Sequence, residues 1–238
     1  MPNNSHSHTD ENRKVVSKKT ICLNMIVKNE AHIIRETFDN ILKYIPLSYW
    51  VISDTGSTDG TQQIIKDYLK SHNINGELFQ DEWRDFGYNR TLALQRANKK
   101  TDYLFIFDAD DSIHGDFKLP DDHVFHNEMY NLKFGGDNVA YVRPLLINNQ
   151  LEWRFNGVLH EFLTCVSKSV EGTIINGNYF VESGRKGSRS KDPEKYNKDA
   201  EVLKRAYYTD IEKPDKGLSN RYAFYCAQSY KDCGMIKE

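Results

Sequence analysis

The 238-residue sequence predicts an α/β fold: a mixed, mainly parallel sheet flanked by helices and followed by a C-terminal helical hairpin. Three observations carry this expectation. Between residues 20 and 107, short apolar runs alternate with stretches of helical periodicity. Three polar segments, at 28–30, 54–59 and 108–111, fall at the carboxyl ends of expected strands, where open α/β sheets bind ligands. Beyond Asp111 strand patterns follow one another without helices, and helical periodicity returns only after Pro193.

In chain order, residues 20–27 (TICLNMIV) form a continuous apolar run that suits a buried strand. Asn29 is read as a helix cap, with Glu30 in the first turn, where a carboxylate complements the helix dipole. The helix spans 31–44, with Ile33, Ile34, Phe38, Ile41 and Leu42 on one face, and Pro46 ends it. A second strand at 49–53 leads into the loop DTGSTDGT and a helix at 61–71. Leu78 and Phe79 mark a short third strand, 86–98 a helix, and 102–107 (DYLFIF) a fourth strand running into Asp108. Further strands are expected at 129–133, 138–147, 151–155, 161–167 and 173–181. Residues 184–190 (GRKGSRS) read as a basic, flexible link. Helices follow at 193–208 and 217–233, the second with Tyr222, Ala223, Cys226, Ala227 and Tyr230 on a face. The organisation expected is a disordered polar tail (1–19), one α/β domain (20–185) and a helical extension (186–238).

Composition narrows the function classes. A net charge of −2 gives no bulk reason for nucleic-acid binding. No run approaches the roughly 18 apolar residues a membrane span requires, and the polar N-terminus has no signal-peptide core. Cys22, Cys165, Cys226 and Cys233 form no CxxC pair, which fits reduced thiols and a cytoplasmic location rather than zinc or a disulfide framework.

The chemistry concentrates in Asp108-Ala109-Asp110-Asp111. Three carboxylates within four residues repel one another unless a positive group neutralises them. A hard divalent cation, Mn²⁺ or Mg²⁺, suits such oxygen ligands, and can share them with substrate phosphates. Asp54, ending the second strand, is placed to accept a hydrogen bond from a base N–H, and Arg90 to reach a phosphate or an aspartate.

The runs NMIVKNE (24–30), DTGSTDGT (54–61), WRDFGYNRTLAL (83–94) and FDADD (107–111) resemble family 2 glycosyltransferases of the GT-A fold. They are most similar to the subgroup whose catalytic domain precedes tetratricopeptide repeats, as is WRFNGVLHEFL (153–163), which resembles that subgroup's G-x-x-H-E segment. The resemblance implies a metal-dependent, inverting transferase that moves a sugar from a nucleoside-diphosphate donor, a UDP-sugar, to an acceptor hydroxyl on a protein, glycan or lipid. By position, it implies that Asp54 binds the base, while Val27 and Lys28, with Glu30 in the same segment, lie along the nucleotide. Arg90 matches the arginine of the A-R-N stretch; Asp110 matches the direct metal ligand and Asp108 a group near the ribose or a metal-bound water. Two positions depart from the subgroup: Thr91 replaces an Asn, and Glu182 a His.

For the base that deprotonates the acceptor, Glu161 is the first candidate, because it lies where GT-A enzymes place acceptor-side groups; Asp111 is the rival. His160 is read as a third metal ligand, as an orienting partner of Glu161, or as a core histidine. Trp153 is read either as a stacking platform for a sugar or as a core aromatic. Two other readings compete: a nucleotidyltransferase acting on a sugar phosphate, and a non-catalytic scaffold that retains a sugar-nucleotide site.

Overall fold

The computed structural model describes residues 18–121, 125–136 and 139–235; most of the tail expected at 1–19 lies outside them. Four strands, β1 (Ile21–Val27), β2 (Tyr49–Asp54), β3 (Gly76–Gln80) and β4 (Tyr103–Ile106), run parallel in the order β3-β2-β1-β4. Their side chains alternate between two buried layers, which explains why the strands read as unbroken apolar runs. Ile21, Leu23, Met25 and Val27 pack with Ile34, Phe38 and Ile41 of α1 (Ile34–Tyr44) and Ile65 and Leu69 of α2 (Thr61–Ser71). Cys22, Val51, Leu104 and Ile106 face Leu94 and Ala97 of α3 (Phe86–Ala97). Asn24 is a buried polar residue on that second face, and its amide donates to the Ala93 carbonyl on α3.

The sheet then turns antiparallel. β7 (Val139–Asn148) pairs with β4 and with β6 (Met129–Gly135). Beyond β6 lies β11 (Tyr179–Glu182), and at the edge β5 (Ser112–Gly115), which follows the aspartate run directly and was not expected from the pattern. The single strand expected at 173–181 is two, β10 (Thr173–Ile174) and β11, divided near Gly177 at φ 141°. β8 (Trp153–Asn156) and β9 (Phe162–Cys165) form a separate hairpin. The chain ends in α4 (Lys195–Ile211) and α5 (Ser219–Asp232). Leu203, Tyr222, Cys226 and Tyr230 form their shared core, which extends onto Phe86, Val158 and Leu159 of the α/β unit. Ala223 and Ala227, expected on that face, are exposed.

Two local expectations are corrected. Asn29 does not cap α1. It adopts a left-handed φ of 59°, its side-chain oxygen accepts the Thr58 N–H, and α1 begins only at Ile34. The basic segment at 184–190 is not a loose link: its backbone is hydrogen bonded across the carboxylates, and residues Ser188–Lys191 form a 3₁₀ turn.

Candidate active site

The carboxyl ends of β1, β2 and β4 converge, as parallel neighbours must. At the end of β2, Asp54 is 1% exposed. Its Oδ1 accepts three donors: Gly56 N at 3.0 Å, Ser57 N at 2.9 Å and the Gln62 amide at 3.0 Å. Its Oδ2 is buried without a partner. An orphaned buried carboxylate oxygen is costly and signals a donor that arrives with a ligand. Val27 supports the loop from the next strand, its carbonyl accepting the Thr55 N–H and hydroxyl. Lys28 is exposed at the same strand end.

Arg90 organises the centre. Its Nη2 donates to Asp108 at 2.5 Å, and its Nε lies 2.8 Å from Glu161. The second contact is close but poorly aligned, since Nε lacks a proper hydrogen-bond partner; we read it as an ion pair. Arg143, on β7, approaches Asp108 at 3.5 Å and Asp111 at 3.8 Å. Burial disfavours the charge on Asp108, but Arg90 and Arg143 outweigh it and hold the carboxyl below its ordinary range. Arg90 is held protonated, its burial outweighed by Asp108 and Glu161. The Arg90–Glu161 approach depends on Gly87: a Cβ there would overlap the Gly157 carbonyl, so α3 and the loop at 157–161 come together at a bare backbone.

Glu30 and Asp110 form no ion pair among the described residues, and Arg143 compensates Asp111 only in part. Burial pushes Glu30 up to about 7. Burial, then the charge of Asp108, pushes Asp111 up to about 7 and raises Asp110. Their partners are backbone amides of one strap: Gly184 N donates to Asp111, Gly187 N to Asp110, and Ser188 N to Glu30. Among the described residues, no group of three or more His, Cys, Asp or Glu side chains is arranged to hold a metal alone. The donor set fits a hard cation that brings phosphate oxygens as further ligands, because Asp108, Asp110 and Asp111 offer oxygen only and Arg90 and Arg143 neutralise them incompletely.

Several expected residues stand elsewhere. His160 does not join the aspartates: its ring stacks on Tyr225 of α5 at 3.9 Å between centroids, and its carbonyl accepts Arg221. Burial lowers its pKa. Trp153 is 5% exposed in the core beneath β8, its indole N–H donating to the Asn148 carbonyl, so neither ring face is open to a sugar. Asp111 is 3% exposed beneath Gly184, whose N–H it accepts. Thr91 ties α3 to β8 by accepting the Phe155 N–H. Glu182, on β11, pairs with His114 of β5 at 3.2 Å.

Sequence reasoning missed Arg143, Gln62 and the strap amides. Arg143 lies 32 or more positions from its partners with no local motif, and backbone donors carry no residue signature. A concavity of about 600 Å³ lined by Trp50, Lys66, Lys70 and Gly76 sits at the amino ends of β2 and β3, away from every one of these groups.

The family described as Glycosyl transferase family 2 matches residues 22–121. Mannosyltransferase PcManGT from Pyrobaculum calidifontis, solved with GDP-Man and Mn²⁺, is 14% identical, with a TM-score of 0.50 over 92% of this chain and 73% of that one. TarS from S. aureus, solved with UDP-GlcNAc, is 15% identical, with a TM-score of 0.43 over 90% and 73%. GalNAc-T7, solved with UDP, GalNAc and Mn²⁺, is 23% identical over 40% of this chain, which covers 19% of that protein at a TM-score of 0.35. No curated protein matches the chain. The mannosyltransferase likeness shows the mixed α/β architecture, and the family match contains Asp54, Arg90, Asp108 and Asp110. Residues 22–121 thus match the glycosyltransferase family 2 model, and they form the parallel part of a mixed α/β sheet.

Proposed function

We propose that this chain is an inverting glycosyltransferase that transfers a sugar from a uridine-diphosphate donor to an acceptor hydroxyl. The observation that carries the reading is the meeting of two features at one sheet edge. Asp54 holds an unpartnered, buried acceptor oxygen, and the Asp108–Asp110–Asp111 cluster holds more negative charge than its arginines neutralise. The first suits a nucleobase N–H; the second suits a diphosphate that arrives with Mn²⁺ or Mg²⁺.

In this reading Asp54 receives the base and Val27 and Lys28 border the nucleoside. Asp110 and Asp108 hold the cation, which when bound supplies positive charge for the diphosphate leaving group. Arg90 fixes Asp108 and Glu161 relative to one another, so the donor end and the acceptor end of the site share one guanidinium. Glu161 takes the proton of the attacking hydroxyl at a carboxylate oxygen, and its ion pair with Arg90 fixes the position of that carboxylate. The α4–α5 pair supports the narrower subgroup reading, in which a helical-repeat array follows the catalytic domain. Four unpaired cysteines agree with a reducing compartment such as the cytoplasm, and no helix of the described residues is long and apolar enough to cross a membrane.

A screen of nucleotide sugars with Mn²⁺, reading released nucleoside diphosphate, tests the reading. Turnover of a UDP-sugar, abolished by EDTA and restored by Mn²⁺, is the expected result. Release of pyrophosphate from a sugar phosphate and a nucleoside triphosphate would replace it with the nucleotidyltransferase reading. Absence of any metal-dependent nucleotide binding would leave only a scaffold.

A further inference from the structure

The orphaned oxygen of Asp54 is aimed by a relay of two glutamines. Gln62, in the first turn of α2, donates its amide to Asp54 Oδ1 at 3.0 Å. Gln80, the last residue of β3 and the register partner of Asp54, donates its own amide to Gln62 Oε1 at 2.6 Å. The direction of this chain is forced. A carboxylate accepts only, so Gln62 must present its NH₂ to Asp54; its carbonyl then faces Gln80, which must also present NH₂.

The consequence falls on Asp54. With Gly56 N, Ser57 N and Gln62 all on Oδ1, that oxygen has more donors than lone pairs, and Oδ2 is the one acceptor left. Backbone pairing adds rigidity, because the Asp54 carbonyl accepts the Asp81 N–H. A single acceptor matches a base edge with one N–H between two carbonyls, which is uracil. Guanine offers two adjacent donors and leaves one unmatched. Adenine and cytosine turn a ring-nitrogen acceptor toward the carboxylate, which repels it.

We propose that Gln62, oriented by Gln80, is a positioning residue for nucleobase recognition: its amide, added to the two backbone donors on Oδ1, locks the rotation of the Asp54 carboxylate with Oδ2 alone open, and so makes the site select uracil over guanine. The inference rests on the nucleotide-donor reading and goes beyond it, from the presence of a base site to the residue pair that sets its choice. Neither glutamine touches the base; both act through the rotation and occupancy of the Asp54 carboxylate.

The test is calorimetric titration of the full chain, in Mn²⁺, with UDP and with GDP. Wild type binds UDP more tightly. Gln62→Met, which keeps length but removes the donor, weakens UDP by about tenfold and narrows the UDP-to-GDP ratio. Gln80→Met, which removes only the orienting donor, moves the ratio in the same direction by about threefold. A merely structural role would lower affinity for both nucleotides equally. An unaltered ratio in folded Gln62→Met overturns the proposal, as does wild type preferring GDP. Should Gln62→Met fail to fold, an unaltered ratio in Gln80→Met overturns it. Absence of nucleoside-diphosphate binding by wild type removes the donor reading itself, a result distinct from the other outcomes.

Discussion

At the scale of the residue, the site is a balance of charges that the chain leaves unfinished. Arg90 and Arg143 neutralise Asp108, but Asp110 and Asp111 remain under-compensated. If Asp110 completes a metal–diphosphate site, Asp110→Ala lowers turnover by about 10²–10³-fold while the circular-dichroism spectrum and melting curve stay those of wild type; full activity in that variant sinks the assignment. Arg90 behaves differently, because it is buried between two carboxylates. Arg90→Met strands Glu161, leaves Asp108 with Arg143 alone, and destabilises the fold by about 3–5 kcal/mol, measured by urea unfolding. Asp54 and the aspartate run were legible from residue type and strand-end position alone. Trp153 and His160 were not, because burial under β8 and stacking on a helix that begins 59 residues after His160 are decided by packing.

At the scale of the element, the strap at 184–188 is the clearest departure from the sequence pattern. Its Gly- and Arg-rich composition reads as a loose link, yet three of its amides hold Glu30, Asp110 and Asp111. Gly184 permits the approach, since a Cβ there would overlap the Asp110 carbonyl. Gly184→Ala therefore lifts the strap. The expected readout is faster hydrogen exchange at the Gly187 and Ser188 amides and a loss of about 1–3 kcal/mol of stability; unaltered exchange at those amides means the strap tolerates the methyl group. The four parallel strands and three helices of the first half lie close to their predicted spans, because each buries a continuous apolar face with local periodicity. β5 was missed: four residues, SIHG, between a charged loop and a polar one carry too short a pattern to register.

At the scale of the whole molecule, acid stability and thiol reactivity report on the assembled sheet. Asp102 accepts the backbone N–H and hydroxyl of Thr20, fastening the start of β1 to β4. Burial opposes its charge, but the Thr20 donors prevail and lower its pKa below the ordinary carboxylate value. A depressed folded-state pKa gives stability that is present above the unfolded pKa and lost as pH falls through the folded one. Stability therefore declines below about pH 4, and Asp102→Asn flattens that decline; an identical pH profile in the variant excludes Asp102 as a contributor. Cys22 is fully buried and burial pushes its thiol up to about 12, and Cys226 is raised by burial as well. In native protein, thiol reagents modify Cys165 and Cys233, which are partly exposed, and spare Cys22 and Cys226 until the chain unfolds.

The sequence by itself determined the alternation of strands and helices, the carboxyl-end placement of Asp54 and Asp108, and the acidic character of the site. Those properties are local: they follow from periodicity and from residue type at a strand terminus. Which charges meet depends on long-range packing. Arg90 finds Glu161 across 71 residues because Gly87 lets α3 touch the loop at 157–161, and Arg143 reaches Asp108 because β7 lies antiparallel beside β4. Tertiary packing also left Asp54 with one open oxygen, since Gln62 on α2, itself held by Gln80 on β3, joins two backbone amides on the other. Pairings at long range depend on sheet order and on close backbone contact, and neither leaves a mark in short stretches of sequence.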